Sequence, residues 1–314
     1  MSGESLLITG ICPVLETPFT VAGDVDIPSF ERLIDHHLAI GVRSVMYPGF
    51  ASEFYKLSQP EREELTAVLV KRFHRVLGTT VIISVPDHAT HTALEQARRA
   101  VQLGADMVNV LPPHLMGPSD DAVRAHLTAV LDAVAPTPVI VQYAPAQTGT
   151  ALDAAILARL ARNSPNLVQV KVESTPPGKL ISALSLQDPP LRAVVGYAGV
   201  QMIDSLRRGA DGVQPGSSFP EIYLEIWKLW QDGDHSGAVQ LHTRLLPYIA
   251  YWMQSVELII RAEKRISMLR GLISTDHCRA PARDLDDEEV AMIDRFLVEF
   301  ADLLPCVRAD LPTI

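Results

Sequence analysis

Short apolar runs alternate with longer amphipathic stretches along most of this chain. Runs at 10–15, 44–47, 80–85, 107–111, 139–143, 167–172, 193–196 and 212–214 have the length and β-branched content of buried strands. Between them, 27–40, 60–77, 90–103, 119–134, 152–162, 177–185, 200–208 and 220–230 carry helical periodicity. Ser58 with Pro60, Ser119 before acidic residues, and Pro220 with Glu221 mark helix starts. Gly41-Val42, Gly104-Ala105 and Gly209-Ala210 each follow a helical stretch, where glycine serves as the residue just past the last turn. Strict strand–helix alternation predicts a parallel sheet with helices outside it, and eight such units predict a (β/α)8 TIM barrel. The rival, a doubly wound open sheet, binds dinucleotides through a Gly-rich first turn. Here that turn reads Thr17-Pro18-Phe19-Thr20. Beyond residue 231 only helical patterns remain, at 236–253, 256–272 and 287–304. The expected organisation is therefore a barrel over 1–231 and a C-terminal helical extension over 232–314.

One strand breaks the apolar rule. In Leu-Val-Gln-Val-Lys-Val-Glu, residues 167–173, alternation places Gln169, Lys171 and Glu173 on one face and Val168, Val170 and Val172 on the other. Burial disfavours an ammonium, and a desolvated lysine amine is a nucleophile able to form a Schiff base with a carbonyl. The bland alternative is a lysine at a strand end, snorkelling to water or paired with Glu173. The barrel separates the two, because its chemistry gathers at the C-terminal strand ends. Those ends are Glu16-Thr17-Pro18, Pro48 to Glu53, Pro86-Asp87-His88, Pro112-Pro113-His114, Gln142-Tyr143-Ala144-Pro145, Lys171-Val172-Glu173, Gly196-Tyr197, and Gln214 to Ser217. Lys171 falls where a catalytic residue belongs.

Composition narrows the partners. The 314 residues hold 37 Asp plus Glu against 27 Lys plus Arg, a balance that argues against nucleic acid. Cys12, Cys278 and Cys306 are few and far apart, which points to a reducing compartment without a disulfide framework. No secretory leader and no membrane span are read from the sequence, and a cytoplasmic location is expected. His88 and His91 have His-x-x-His spacing without a carboxylate partner and read as a helix start rather than a metal site. No metal is expected.

The strand ends resemble the dihydrodipicolinate synthase / N-acetylneuraminate lyase family of Schiff-base aldolases and dehydratases. The resemblance runs through Glu16-Thr17-Pro18-Phe19, Gly49-Phe50-Ala51-Ser52-Glu53 with Leu57-Ser58 and Glu61-Arg62, and Leu111-Pro112-Pro113. It continues in Pro145-Ala146-Gln147-Thr148-Gly149, Lys171, Gly209-Ala210-Asp211-Gly212 and Pro220. It implies a lyase in which Lys171 binds the keto carbon of a small 2-keto acid. It also implies no organic cofactor or metal beyond that covalent link, and assembly into a homo-oligomer, tetramer or dimer. Ala51 and Ser52, on the loop that cradles the substrate carboxylate in the family, with Gln142, Gly196 and Gln214 at other strand ends, are the expected substrate contacts.

The departures are informative. The family's Gly-Thr-Thr-Gly-Glu loop is Gly49-Phe50-Ala51-Ser52-Glu53 here, so both threonine hydroxyls are lost. The family's strand-five tyrosine is replaced by Gln142, and its arginine by Gln147; both changes argue against dihydrodipicolinate synthesis. Tyr143, one residue along, is turned away by strand alternation, and a bent strand end would be needed to bring its hydroxyl back as a catalytic group. Glu173 lies on the face of Lys171, where a carboxylate takes or gives a proton. The combination is most similar to the L-2-keto-3-deoxyarabonate dehydratase branch. The expected reaction is dehydration of a 2-keto-3-deoxy sugar acid. The alternatives are a pyruvate-dependent aldolase and, in another class, a non-catalytic barrel that binds a keto acid.

Overall fold

The computed structural model describes residues 6–305, and Cys306 lies outside them. The strands are β1 (Gly10–Ile11), β2 (Ser44–Tyr47), β3 (Thr80–Val85), β4 (Met107–Val110), β5 (Val139–Tyr143), β6 (Leu167–Val172), β7 (Arg192–Val195) and β8 (Gly212–Val213). They belong to one eight-stranded sheet in the order β1-β8-β7-β6-β5-β4-β3-β2, with parallel pairing along it. With helices between the strands, this is the (β/α)8 barrel that the alternation predicts. Helices His235–Trp252, Val256–Leu269 and Asp287–Glu299 follow residue 231.

Local signals explain the element ends. Ser58 caps helix Gln59–Phe73 through a reciprocal bond pair with Glu61, and Ser119 accepts from Ala122 N at the start of helix Asp120–Val134. Gly41, Gly104 and Gly209 take φ of 92°, 99° and 86°. After each, the next N–H reaches back five residues, as in Val42 to His37 O at 2.9 Å, the Schellman closure that a left-handed residue permits. The first strand is shorter than its apolar run, ending at Ile11. Pro13 has no N–H to give a ladder, and Val14 makes only an isolated bridge to Met46.

The described chain forms two compact units, residues 6–12 with 80–214, and residues 13–79 with 215–305. In the first, an apolar cluster packs Val108, Val110, Val139, Val141, Val170 and Val172 against helix residues such as Leu127, Leu131, Leu157 and Ile181. Gln169, on the opposite face from Val170, is fully buried. Its amide bonds Ile8 N at 2.7 Å, Ile8 O at 3.0 Å and Asp211 Oδ2 at 2.9 Å, and Arg192 Nε holds Asp211 at 2.8 Å. Every polar atom of Gln169 is thus satisfied on the lysine's own face, two residues before it. In the second unit, Phe219, Trp252, Phe296 and Phe300 form an aromatic core with Tyr248. Trp230 stacks on His235 at 4.2 Å, packing helix Pro220–Gln231 onto the first helix of the extension.

Candidate active site

Four adjacent strands of the first unit bring polar groups together along the face of Lys171. Its side chain is 4 % exposed, and its Nζ lies 3.3 Å from Glu173 Oε1. β5 and β6 pair with Gln142 opposite Lys171, and Gln142 Nε2 donates to Glu173 Oε2 at 2.6 Å. Asn109 of β4 donates from one nitrogen to Gln142 Oε1 at 2.9 Å and to Ser84 Oγ of β3 at 2.8 Å. The backbone N–H of Tyr197 donates to Glu173 Oε1 at 3.3 Å. Glu173 therefore accepts from an amide and a backbone N–H and lies within ion-pair distance of the lysine nitrogen. Together these contacts hold the carboxyl group in one place.

Gly196 is set by this carboxylate. A Cβ there would lie 2.5 Å from Glu173 Cγ and collide with the carboxylate itself. Its contribution is space rather than a side-chain contact. Gln214 Nε2 lies 3.3 Å from Cys12 Sγ, and its buried Oε1 has no hydrogen-bond partner among the described residues. Neither Cys12 nor Cys278 is in a disulfide among the described residues.

The structure does not bring Tyr143 to this group. Tyr143 pairs with Val172 and packs against the apolar cluster. Burial raises its hydroxyl pKa, and the negative charge of Asp153, the cap of helix Ala154–Asn163, raises it further. The strand end does not bend back, so alternation decides the side chain's direction. Gln142 also differs from expectation, because both ends of its amide are engaged by protein groups. Ser84 and Asn109 were missed in the sequence. Their signal was the one that exposed Lys171, a polar residue inside an apolar strand.

Ala51 and Ser52 lie in the second unit, in a short 3-10 helix, Phe50–Ser52. Ser52 is fully buried. Its hydroxyl donates to Leu15 O and accepts from Gly49 N at 2.8 Å, while Ser52 O accepts from Thr17 Oγ1 at 2.7 Å. The one hydroxyl proton of Ser52 fastens its own loop instead of reaching a ligand. Glu53 follows with a left-handed φ of 54°.

The second unit also buries a charge cluster that sequence reading did not find. Glu53 pairs with Lys264 and, at 3.0 Å, with Lys56. Lys264 Nζ also donates to His277 O at 2.9 Å and sits 4.3 Å from the Phe19 ring centre. Glu263 accepts from Ser217 N, Ser218 N and Ser218 Oγ at 3.0, 3.3 and 3.1 Å, yet burial lifts its pKa to about 7. Neither oxygen of Glu16 has a hydrogen-bond partner among the described residues. Burial pushes its carboxyl up to about 8; Glu263 and Glu53 add to the rise, while the Ser267 hydroxyl and Lys264 oppose it.

The sign of the resulting pH dependence follows from linkage. The folded state keeps the Glu16 proton up to about pH 8, whereas the unfolded chain loses it near the ordinary carboxyl value of 4.5. Stability from this group is full below the lower value and declines as pH rises through the window. A Glu16→Gln variant should match the parent near pH 4.5 and exceed it at pH 8.5, by a few kcal/mol at most. Urea unfolding at the two pH values checks this. Glu263 still titrates in the variant, so the slope shrinks without vanishing.

His37, adjacent to His36 on helix Ile27–Ala39, is buried with its pKa lowered by burial to about 4, and is a core residue. His36 Nε2 lies 2.8 Å from Glu221 Oε1. His88 Nδ1 accepts from His114 N and Leu115 N at 3.1 and 2.9 Å and so anchors the loop after β4. Among the described residues no helix is long and apolar enough to cross a membrane.

On the sixth strand of the (β/α)8 barrel a buried lysine thus lies beside a carboxylate. The sequence matches the dihydrodipicolinate synthetase family over residues 7–299, and the chain belongs to that family and is a lyase. Among its relatives, L-2-keto-3-deoxyarabonate dehydratase of Azospirillum brasilense is 30 % identical over 284 residues, 88 % of this chain and 89 % of that one. A 4-hydroxy-tetrahydrodipicolinate synthase of Stenotrophomonas maltophilia is 30 % identical over 245 residues, 77 % and 80 % of the two chains. The crystal structure of YagE, a prophage protein of this family from Escherichia coli K12, in complex with pyruvate, superimposes with a TM-score of 0.86 at 26 % identity, covering 94 % of this chain and 99 % of that one.

Proposed function

We propose that this lyase dehydrates a 2-keto-3-deoxy sugar acid through a Schiff base on Lys171. The observation that carries the reading is the 3.3 Å approach of Lys171 Nζ to Glu173, with the amide of Gln142 where the family's tyrosine would stand. The similarity to the Azospirillum dehydratase supports it. The lysine amine attacks C2, and the carbinolamine hydroxyl takes a proton from solvent and leaves as water, giving an iminium. The iminium acidifies the C3 protons, and Glu173 takes one, its electron pair forming the C2–C3 enamine. The enamine expels the C4 hydroxyl, which takes the proton from Glu173 and departs as water. On a five-carbon substrate a proton then shifts from C5 to C3, the resulting C4–C5 enol tautomerises to the aldehyde, and hydrolysis of the iminium frees the lysine. Gln142 has no proton to lose at working pH and so steers Glu173 without competing for the proton. Lys171 supplies the electron sink, so the reaction needs no metal or organic cofactor. The same reading includes a homo-oligomer, which light scattering of the purified protein would reveal.

The second reading is aldol cleavage, favoured by the similarity to YagE in its pyruvate complex. It starts from the same iminium but removes the C4 hydroxyl proton and breaks C3–C4. Product analysis with a 2-keto-3-deoxypentonate separates them. Dehydration gives 2-ketoglutarate semialdehyde by net loss of one water, and cleavage gives pyruvate with a two-carbon aldehyde. Pyruvate as the main product would overturn the first reading. A Glu173→Gln enzyme should lose roughly a hundredfold or more in kcat, the usual worth of a placed general base; full activity would remove Glu173 from the mechanism.

A further inference from the structure

We infer that Asn109, backed by Ser84, is a positioning residue that acts through Gln142 to aim the Glu173 carboxylate. The inference rests on the Schiff-base reading above and adds residues that touch no reacting atom. Asn109 Nδ2 donates twice, to Ser84 Oγ at 2.8 Å and Gln142 Oε1 at 2.9 Å. The Glu173 carboxylate can only accept, so Gln142 presents Nε2 to Glu173 Oε2 at 2.6 Å and turns Oε1 to Asn109, which must donate. Asn109 thus ties down the other end of the Gln142 amide, and the line from β3 to β6 runs through buried side chains: Ser84 is 6 % exposed, Asn109 0 % and Gln142 2 %.

The geometry has a directional consequence. An amide can offer Glu173 either a donor or an acceptor, and only the donor end holds a carboxylate. Without the Asn109 donor, Gln142 Oε1 becomes a buried acceptor without a partner, and its amide is tethered only by the bond to Glu173. The carboxylate then rests on a donor that is free to shift with it. Misplacement of a general base by about 1 Å costs on the order of a hundredfold in rate. Asn109 should therefore govern proton transfer at C3 while leaving Schiff-base formation intact.

The test uses pyruvate in heavy water and needs no knowledge of the natural substrate. On the iminium, a methyl C–H bond breaks, the proton passes to Glu173, and the electron pair forms the C2–C3 double bond as the nitrogen becomes neutral. A deuteron from the exchanged carboxylate then returns to C3. Proton NMR follows the loss of the methyl signal, and borohydride trapping followed by mass spectrometry reports the adduct. Four proteins are compared: the parent, Asn109→Leu, Glu173→Gln, and the double variant.

The expected result is that Asn109→Leu still traps pyruvate with KM within about threefold, while kcat for exchange falls by roughly tenfold or more. On the Glu173→Gln background the same substitution should change exchange by less than about twofold, because the residue it acts through is gone. An equal loss on both backgrounds would place Asn109 in the fabric of the sheet, or directly on substrate, and overturn the inference. A Glu173→Gln enzyme that exchanges at the parent rate overturns it too. A parent enzyme that forms no adduct counts against the Schiff-base reading instead. Should leucine not be tolerated in this strand, Asn109→Ser, smaller and still polar, carries the same cycle.

Discussion

Lys171→Ala should abolish both the covalent adduct and turnover while the protein stays folded. Incubation of the parent with pyruvate or a 2-keto-3-deoxy acid, followed by borohydride, should add the mass of the reduced adduct to one residue. The variant should gain none. The amine is the electrophile's only covalent partner in the proposed sequence, so its loss removes the intermediate rather than slowing one step. Activity should fall by at least about 10⁴-fold, since proximity and covalent catalysis are lost together. Stability should fall without unfolding the protein, because the Glu173 carboxylate loses its ion-pair partner. Glu173 keeps its bonds from Gln142 and Tyr197. An adduct of unchanged yield on the variant would remove Lys171 from the chemistry.

Lys264→Met should be the most damaging substitution outside that group, and it should act on stability alone. Glu53 is fully buried and pairs with Lys264. Removing one partner of a buried pair leaves an uncompensated charge, at about 3–5 kcal/mol. Lys56 still reaches Glu53 at 3.0 Å, which points to the lower end, and a fall in melting temperature of roughly 10 °C. Glu53→Gln added to Lys264→Met should recover most of the loss, because no buried charge is then left alone. Calorimetry of the three variants decides it. A double variant no more stable than Lys264→Met would show that the lysine's packing on Phe19, not its charge, was what mattered.

The fold was legible in the sequence because its two periods differ. Strands such as β3, β5 and β6 have the same ends in the structure as in the apolar pattern, since a run buried on both faces stops where polar or turn residues begin. Helix ends shifted by a few residues where the pattern extended beyond the hydrogen-bonded turns, as at 60–77 against Gln59–Phe73. Lys171 and Glu173 were legible because spacing on a strand dictates a shared face. Tyr143 was legible for the same reason, and the hope of a bent strand end went against that rule. The links between strands were hidden. That Gln142 faces Lys171 and Asn109 lies within reach of Gln142 depends on register, which no single strand encodes. The charge cluster was hidden because Glu16, Glu53 and Lys264 are far apart in the chain, and each alone looks like a surface residue.

Gly196 shows how a missing side chain can be a functional part. The space over its Cα is occupied by Glu173. A methyl group there would have to push out a carboxylate that Gln142, Tyr197 and Lys171 hold. Position 196 therefore ties the fold to the proposed chemistry, and a variant that evicts the carboxylate should cost both at once.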